Sequence, residues 1–288
     1  MQWAGRYALG FPAYKKSDNL PSADMEDRLV KFKESAYKCG VQVYFTIMIL
    51  IVALPKPWFT NTRLFWAECY RIPCDVTPTF GERFVYLVEL AFYSQAIPML
   101  FFWETKRKDR LELVAHHIAT VILIVYSYYL NVTRVGVMVL ACHEANDIFL
   151  EAAKMARYAK ASNAFTTGLF VVFMISWFAT RIYAFAFVVI RSTLFESYAR
   201  AAEVGVSIEP HGTILNGFLL FLYVLHIYWS YLIVRIAVRQ LTHGDAEDIR
   251  ETDHPPTPQR TKPLSSVVKP VALNPTGARS VGSMPTEM

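Results

Sequence analysis

Six stretches of this chain are long and apolar enough to cross a lipid bilayer, and that leaves few folds open to it. They lie near 36–54, 84–103, 112–130, 135–153, 164–190 and 213–238. A hydrocarbon core of ~30 Å takes about 20 helical residues. In lipid every backbone polar group must find an internal partner, so only helices and closed barrels span it. The runs are continuous rather than alternating, which argues against a barrel. Composition agrees: 54% of residues are hydrophobic and the mean hydropathy is +0.27, whereas soluble domains sit nearer ~45–50% apolar. The second and fourth runs are the weakest, because Glu89 interrupts one and Glu144 and Asp147 the other. The expectation is an all-α membrane protein of about six transmembrane helices packed as a compact bundle or barrel around an intramembrane cavity.

The flanks read differently. Met1 to Tyr14 lacks the long apolar core of a signal peptide, and a charged stretch follows from Asp24 to Lys38, so insertion is expected to use the first span itself. Beyond Leu241 the chain turns polar and Pro-rich, as in Pro255-Pro256-Thr257-Pro258. Such a segment cannot bury enough apolar surface to fold alone and is expected to be disordered. The division predicted is 1–35, a cytosolic N-terminal segment; 36–240, the membrane domain; and 241–288, a cytosolic tail. Basic residues set the orientation. They gather before the first span (Lys15, Lys16, Arg28, Lys31, Lys33, Lys38), in the second loop (Lys106, Arg107, Lys108, Arg110), in the fourth (Lys154, Arg157, Lys160) and at the last span's end (Arg235, Arg239). Both termini are therefore expected in the cytosol. The net charge of +5 then marks a basic cytosolic rim rather than a nucleic-acid surface. Cys69 and Cys74 share the first loop, on the non-cytosolic side, where they either pair or stay as two thiols. Cys39 and Cys142 read as packing residues. Trp58, Trp103, Tyr128 and Tyr129 suit interfacial belts.

The polar groups inside the spans point to chemistry. A charged side chain near a bilayer centre costs roughly 3 kcal/mol, so intramembrane ionisable groups mark functional sites by default. His116-His117 opens one apolar run, and His143, Glu144, Asp147 and Glu151 interrupt the next. At 1.5 Å per residue the tandem histidines lie roughly 8–9 Å inside the third span, Asp147 about 9 Å and His143 about 15 Å inside the fourth. The tandem imidazoles and Asp147 thus fall at one level. His143, Asp147 and Glu151 share a face at i, i+4 spacing, and Glu151 can pair with Lys154. His116 and His117 diverge by about 100°, as do His143 and Glu144, so neighbours in sequence have different tasks. Buried histidines can also be hydrogen-bond glue between helices, which is the reading for the lone His226. Arg181, towards the far end of the fifth span, snorkels or anchors a polar network. Imidazole and carboxylate are ordinary metal ligands too. Yet the chain has seven histidines, and His211, His243 and His254 lie outside the spans, too few for a membrane di-iron cluster; a mononuclear site stays open, and no metal is assigned.

The same residues carry a family resemblance. Lys106-Arg107-Lys108-Asp109, His116-His117-Ile118-Ala119-Thr120, Asn131-Val132-Thr133-Arg134-Val135-Gly136, and His143-Glu144-Ala145-Asn146-Asp147 running on to Leu150-Glu151-Ala152-Ala153-Lys154 resemble, in order, the Lag1 motif of ceramide synthases, the acyl-transferring members of the TLC-domain family. Lys31-Phe32-Lys33-Glu34-Ser35-Ala36, Trp177-Phe178-Ala179-Thr180-Arg181 and Leu225-His226-Ile227-Tyr228-Trp229 extend it to residues 31–240. Two departures stand out. Glu144 occupies a position where the family usually has Asp, and the chain has no room for the extra N-terminal span and homeodomain-like insert of many animal members.

The resemblance implies a multi-pass enzyme of the endoplasmic reticulum that joins the acyl group of a fatty acyl-CoA to the amine of a sphingoid base. No cofactor is expected beyond acyl-CoA as co-substrate, and no nucleic acid; membrane lipids surround the protein, and assembly into homo- or hetero-oligomers stays open. His116, His117, His143 and Asp147 are the catalytic candidates, with Asp147 orienting an imidazole as the third member of a triad does. Glu144, Glu151, Arg181 and His226 are supporting candidates. Lys106, Arg107, Lys108, Arg157, Arg235 and Arg239 could meet the CoA phosphates. An imidazole serves either as base for direct attack or as the nucleophile that takes the acyl group. The resemblance also links acyl-length choice to the connection from Arg191 to Gly212. The competing reading is a non-catalytic lipid-sensing or lipid-handling TLC protein.

Overall fold

A single polar helix surrounded by apolar ones organises the fold. The computed structural model describes residues 23–104 and 108–243. The described residues form six long helices: α1 (Ala23–Ala53), α2 (Phe80–Phe102), α3 (Arg110–Tyr129), α4 (Thr133–Tyr158), α5 (Asn163–Val204) and α6 (His211–His243). All except α4 are long and apolar enough to cross a membrane. The fourth fails on composition, carrying His143, Glu144, Asp147, Glu151 and Lys154. Its position explains this. Neighbouring helices touch in the order α1, α2, α3, α6, α5, α4 and back to α1, closing a ring, and α4 also reaches across to α2 and α3. Val135, Val137, His143, Glu144, Asn146 and Glu151 are all buried, so its polar groups face protein rather than lipid. The outer helices turn apolar stripes outward, such as Val43, Ile47 and Ile51 on α1. One i, i+4 stripe facing hydrocarbon is what a ring helix needs.

Local sequence sets the ends. Thr79 and Glu82 cap α2 reciprocally, Glu82 Oε2 accepting from the Thr79 amide at 2.7 Å and Thr79 Oγ1 from the Glu82 amide at 3.4 Å. That capping box satisfies two orphan donors. Ser162 caps α5 by accepting from the Phe165 amide at 3.4 Å. α1 begins well before the expected 36. Lys31–Asp27 and Lys38–Glu34 ion pairs at 3.2 and 2.9 Å run along it, and Leu29 and Phe32 pack on Tyr158. α5 likewise runs past 190, widening to π-helix over Phe178–Ile190 and Ser192–Glu196. The connection expected over 191–212 is thus mostly helix, and only 205–210 is loop. Trp58 is not an interfacial residue: it is buried in a short turn against Phe65, ring centroids 6.1 Å apart. Trp103 and Tyr129 are exposed. Most of the 241–288 tail, and residues 1–22, lie outside the described residues.

The loop from α1 to α2 folds across one end of the ring. Cys69 and Cys74 are disulfide-bonded, so the pairing alternative holds, while Cys39 and Cys142 are free thiols. The Cys74 amide donates to Leu130 O at 3.0 Å and Asn131 Nδ2 to Cys74 O at 3.1 Å, fixing the loop to the α3–α4 turn. At the same end Gly136 lets α4 approach α2. A Cβ there would lie 1.6 Å from the Tyr86 hydroxyl, which bonds Ser127 Oγ at 3.1 Å and Thr133 O at 3.2 Å.

Candidate active site

Four imidazoles converge where α3, α4 and α6 meet. His116 is buried, its ring 5.9 Å from that of His143, 6.4 Å from that of His226 and 5.5 Å from Trp229. His117 diverges as helical geometry requires and faces α2, 5.5 Å from the ring of Tyr93. His143 Nδ1 lies 2.6 Å from Val139 O, and its Nε2 3.1 Å from His226 Nε2. A carbonyl only accepts, so Nδ1 of His143 carries the proton and its Nε2 accepts in the neutral ring. His226 must then donate from Nε2 to His143. His226, read from sequence as structural glue, is therefore part of the cluster. Spacing along α6 gave no hint of that; only the resemblance made His226 a supporting candidate.

Asp147 takes a different place from the one expected. Its Oδ1 accepts from an Arg181 terminal nitrogen at 2.6 Å, and that nitrogen also donates to His143 O at 2.9 Å. The guanidinium lies 4.9 Å over the Trp177 ring. Asp147 thus bonds an arginine, not an imidazole, and acts on His143 only through Arg181 and the backbone. The level match from helical rise fails by about one turn: His116 meets His143 rather than Asp147, because α4 continues to Tyr158 and is staggered accordingly. Arg181 is not at the far end of its span either. α5 is longer than expected, so this residue sits at the centre and anchors the polar network.

A second polar layer lies on the α2 side. Tyr93 donates its hydroxyl to Glu144 Oε1 at 2.7 Å. Glu89, one turn before Tyr93, is fully buried, and neither of its oxygens nor Glu144 Oε2 has a hydrogen-bond partner. Glu144 faces away from His143, as the angular offset requires. Sequence reading missed Tyr93 and treated Glu89 only as a blemish in an apolar run. An acidic residue followed four positions later by tyrosine was the available signal. Nearby, Ser176 donates to Asn146 Oδ1. Among the described residues no three His, Cys, Asp or Glu side chains are placed to hold one metal ion.

An elongated cavity begins at this site. Tyr93, Thr120 and His143 line its inner end, and Arg71, Ile72, Ile208 and His211 its outer end. It encloses about 1140 Å³, open mouth included. The wall between is almost entirely apolar, with Leu123, Ile124, Val139, Leu215, Leu219 and Leu222. From His211 to Leu222 along α6 is about 16 Å, close to half of a ~30 Å hydrocarbon core. His116 lies one turn before Thr120, whose Oγ1 donates to His116 O at 2.9 Å. At the outer mouth Tyr198 and Thr213 hydrogen-bond Glu209 and hold its carboxyl below the usual range.

The opposite end is the charged one. Glu151 pairs with Lys154 at 3.0 Å, as expected, and Lys38 bridges Glu34 and Glu104 at 2.9 and 2.8 Å. Lys108, Arg235 and Arg239 are exposed there and Arg157 is half-buried. Lys106 and Arg107 lie outside the described residues.

Comparison with known proteins fits this arrangement. Residues 31–235 match the TLC domain. The chain is 37% identical over 253 residues to ASC1-like protein 1 of Oryza sativa subsp. japonica, covering 86% of this chain and 81% of that protein. It is 38% identical over 243 residues to ceramide synthase LOH1 of Arabidopsis thaliana, covering 82% and 77%. To ceramide synthase 5 of Homo sapiens it is 36% identical over 223 residues, 77% of this chain and 54% of that protein. The chain belongs to the TLC-domain family, in its ceramide synthase branch. The described Lag1-type residues lie on the second turn of α3, in the α3–α4 turn and along the centre of α4.

Proposed function

We propose that this protein is a ceramide synthase that transfers the acyl group of a fatty acyl-CoA to the amine of a sphingoid base. The observation that carries the reading is the apolar cavity of one leaflet's length that begins at the imidazole cluster. An acyl chain lying in it brings its carbonyl to His143, Thr120 and, one turn on, His116. The polyanionic head then lies at the basic end formed by Lys108, Arg157, Arg235 and Arg239. The disulfide at the other end suits an oxidising compartment, so the basic end and both termini face the cytosol of an endoplasmic-reticulum protein.

The favoured route is covalent. A nitrogen of the tandem histidines, with His116 the better placed, attacks the thioester carbonyl; the C–S bond breaks and CoA leaves as thiolate, taking a proton. The sphingoid amine is mostly protonated at neutral pH and must lose a proton to a neighbouring imidazole before it attacks. Its nitrogen then displaces the imidazole from the acyl carbon, restoring the histidine. His143 and His226 hold the neighbouring imidazole in place, and Arg181 with Asp147 positions His143. Purified protein incubated with acyl-CoA and sphinganine should release CoA and form amide in equal amounts by mass spectrometry. Lipid binding without either product would favour the lipid-handling alternative.

A further inference from the structure

The outer end of the cavity is bordered by two pieces of chain, and one of them is built unusually firmly. The Cys69–Cys74 bond closes a six-residue ring with Cα atoms 4.5 Å apart. Both cysteines and Val76 are buried, and Ile72 and Val132 pack against them. Two hydrogen bonds fasten Cys74 to the α3–α4 turn. On the other side Trp66 Nε1 donates to Ser192 Oγ at 2.9 Å, Arg200 donates to Ala67 O at 3.0 Å, and the same guanidinium covers Tyr70 at 4.9 Å. The loop is therefore tied to α3, α4 and α5 at once. Trp66, Cys69 and Ile72 all line the cavity, opposite the half-buried Val206 and Ile208 of the α5–α6 connection.

An apolar tunnel of fixed length measures its occupant only if its end does not move. Ile72 is a branched apolar side chain on a cross-linked loop at that end, and it lies about 15 Å of α3 rise from Thr120, counted to Leu130. We propose that Ile72, held by the Cys69–Cys74 bond, is the stop against which the methyl end of the acyl chain rests, making this loop a determinant of acyl length alongside the α5–α6 connection. This rests on the acyl-transfer reading above. Removing the side chain lengthens the tunnel; a larger one shortens it; and breaking the cross-link frees the stop. Each buried methylene contributes about 0.8 kcal/mol, so room for two more changes preference on the order of tenfold.

The test uses the full-length protein in membranes, with sphinganine and an equimolar series of saturated acyl-CoAs. Ile72→Ala should raise the ratio of long to short amide products on the order of tenfold, and Ile72→Trp should lower it comparably. Cys69→Ser/Cys74→Ser should broaden the distribution towards longer chains. A second measurement does not depend on turnover. An acyl-CoA with a diazirine on its terminal carbon should label the peptide containing Ile72 on irradiation, whereas a mid-chain diazirine should label α3 or α6. An unchanged product distribution in both Ile72 variants, or terminal labelling elsewhere, overturns the proposal. Labelling at Ile72 with no amide formed would leave the stop in place and remove the acyl-transfer reading instead.

Discussion

The Arg181–Asp147 pair makes a quantitative prediction. Arg181 is 4% exposed and the Asp147 side chain 29%, so the cation is the more deeply committed partner. Removing one member of a buried pair costs about 3–5 kcal/mol, because the other charge is left uncompensated. For Arg181→Met the abandoned carboxylate keeps some access to water, which places the cost near the lower end, at about 3 kcal/mol, with the guanidinium–Trp177 contact adding ~0.5–1 kcal/mol. For Asp147→Asn the abandoned charge is the buried one, so the cost should lie towards about 5 kcal/mol. At ~2–4 °C per kcal/mol for a chain of this size, the unfolding midpoint in detergent should fall by about 7–16 °C for Arg181→Met and further for Asp147→Asn. The double variant Arg181→Met/Asp147→Asn buries no unpaired charge, and it should be more stable than Asp147→Asn alone. Thermal unfolding at one scan rate, on protein purified in the same detergent, reads all three. Strictly additive losses, or a milder effect for Asp147→Asn than for Arg181→Met, would refute the reasoning and return Asp147 to the role of an imidazole partner.

Three further outcomes follow from the geometry. Gly136→Ala sets a Cβ against the Tyr86 hydroxyl and should destabilise by about 1–3 kcal/mol through overpacking, with Tyr86→Phe recovering part of the loss in the same unfolding assay. Tyr93→Phe leaves Glu144 Oε1 buried without its donor, a loss of about 1–3 kcal/mol; Glu144→Gln, which accepts the same bond without the charge, should be milder in the same unfolding measurement, and equal losses would show the bond to be unimportant. Enzyme mixed with acyl-CoA alone should gain one acyl mass on the peptide holding His116 and His117 and release CoA in a burst, whereas CoA release that strictly requires sphinganine would support direct attack.

Much of this architecture was legible from the chain. The apolar runs show the helices, and the breaks in the fourth run show where polar chemistry enters the membrane. Helical angles correctly separate His116 from His117 and His143 from Glu144, because a 100° step is a property of any α-helix. Stagger between helices is not a property of any one of them. Depth counted from an assumed helix end therefore matched His116 with Asp147, one turn away from His143. The extent of α5 was equally hidden: nothing in Arg191 to Val204 announces a continuous helix, since its i, i+3 and i, i+4 pairings, such as Ser197 Oγ to Thr193 O at 2.5 Å, are visible only once the chain is folded. Arg181 moved from the margin to the centre for that reason alone.

The polar groups of α4 also explain why this helix is enclosed by its neighbours. Successive residues point about 100° apart, so His143, Glu144 and Asn146 spread over most of its circumference. No orientation of such a helix at the periphery could hide them all from lipid. Each finds a different neighbour: His143 meets His226 of α6, Glu144 meets Tyr93 of α2, Asn146 meets Ser176 of α5, and Asp147 meets Arg181, also of α5. Glu151 closes the set with Lys154 beside α1. A helix that needs a partner on every side can be placed only where every side is protein. The site and the fold therefore have one cause, because the residues that make α4 too polar to face lipid are the ones that gather the imidazoles of α3 and α6 around His143.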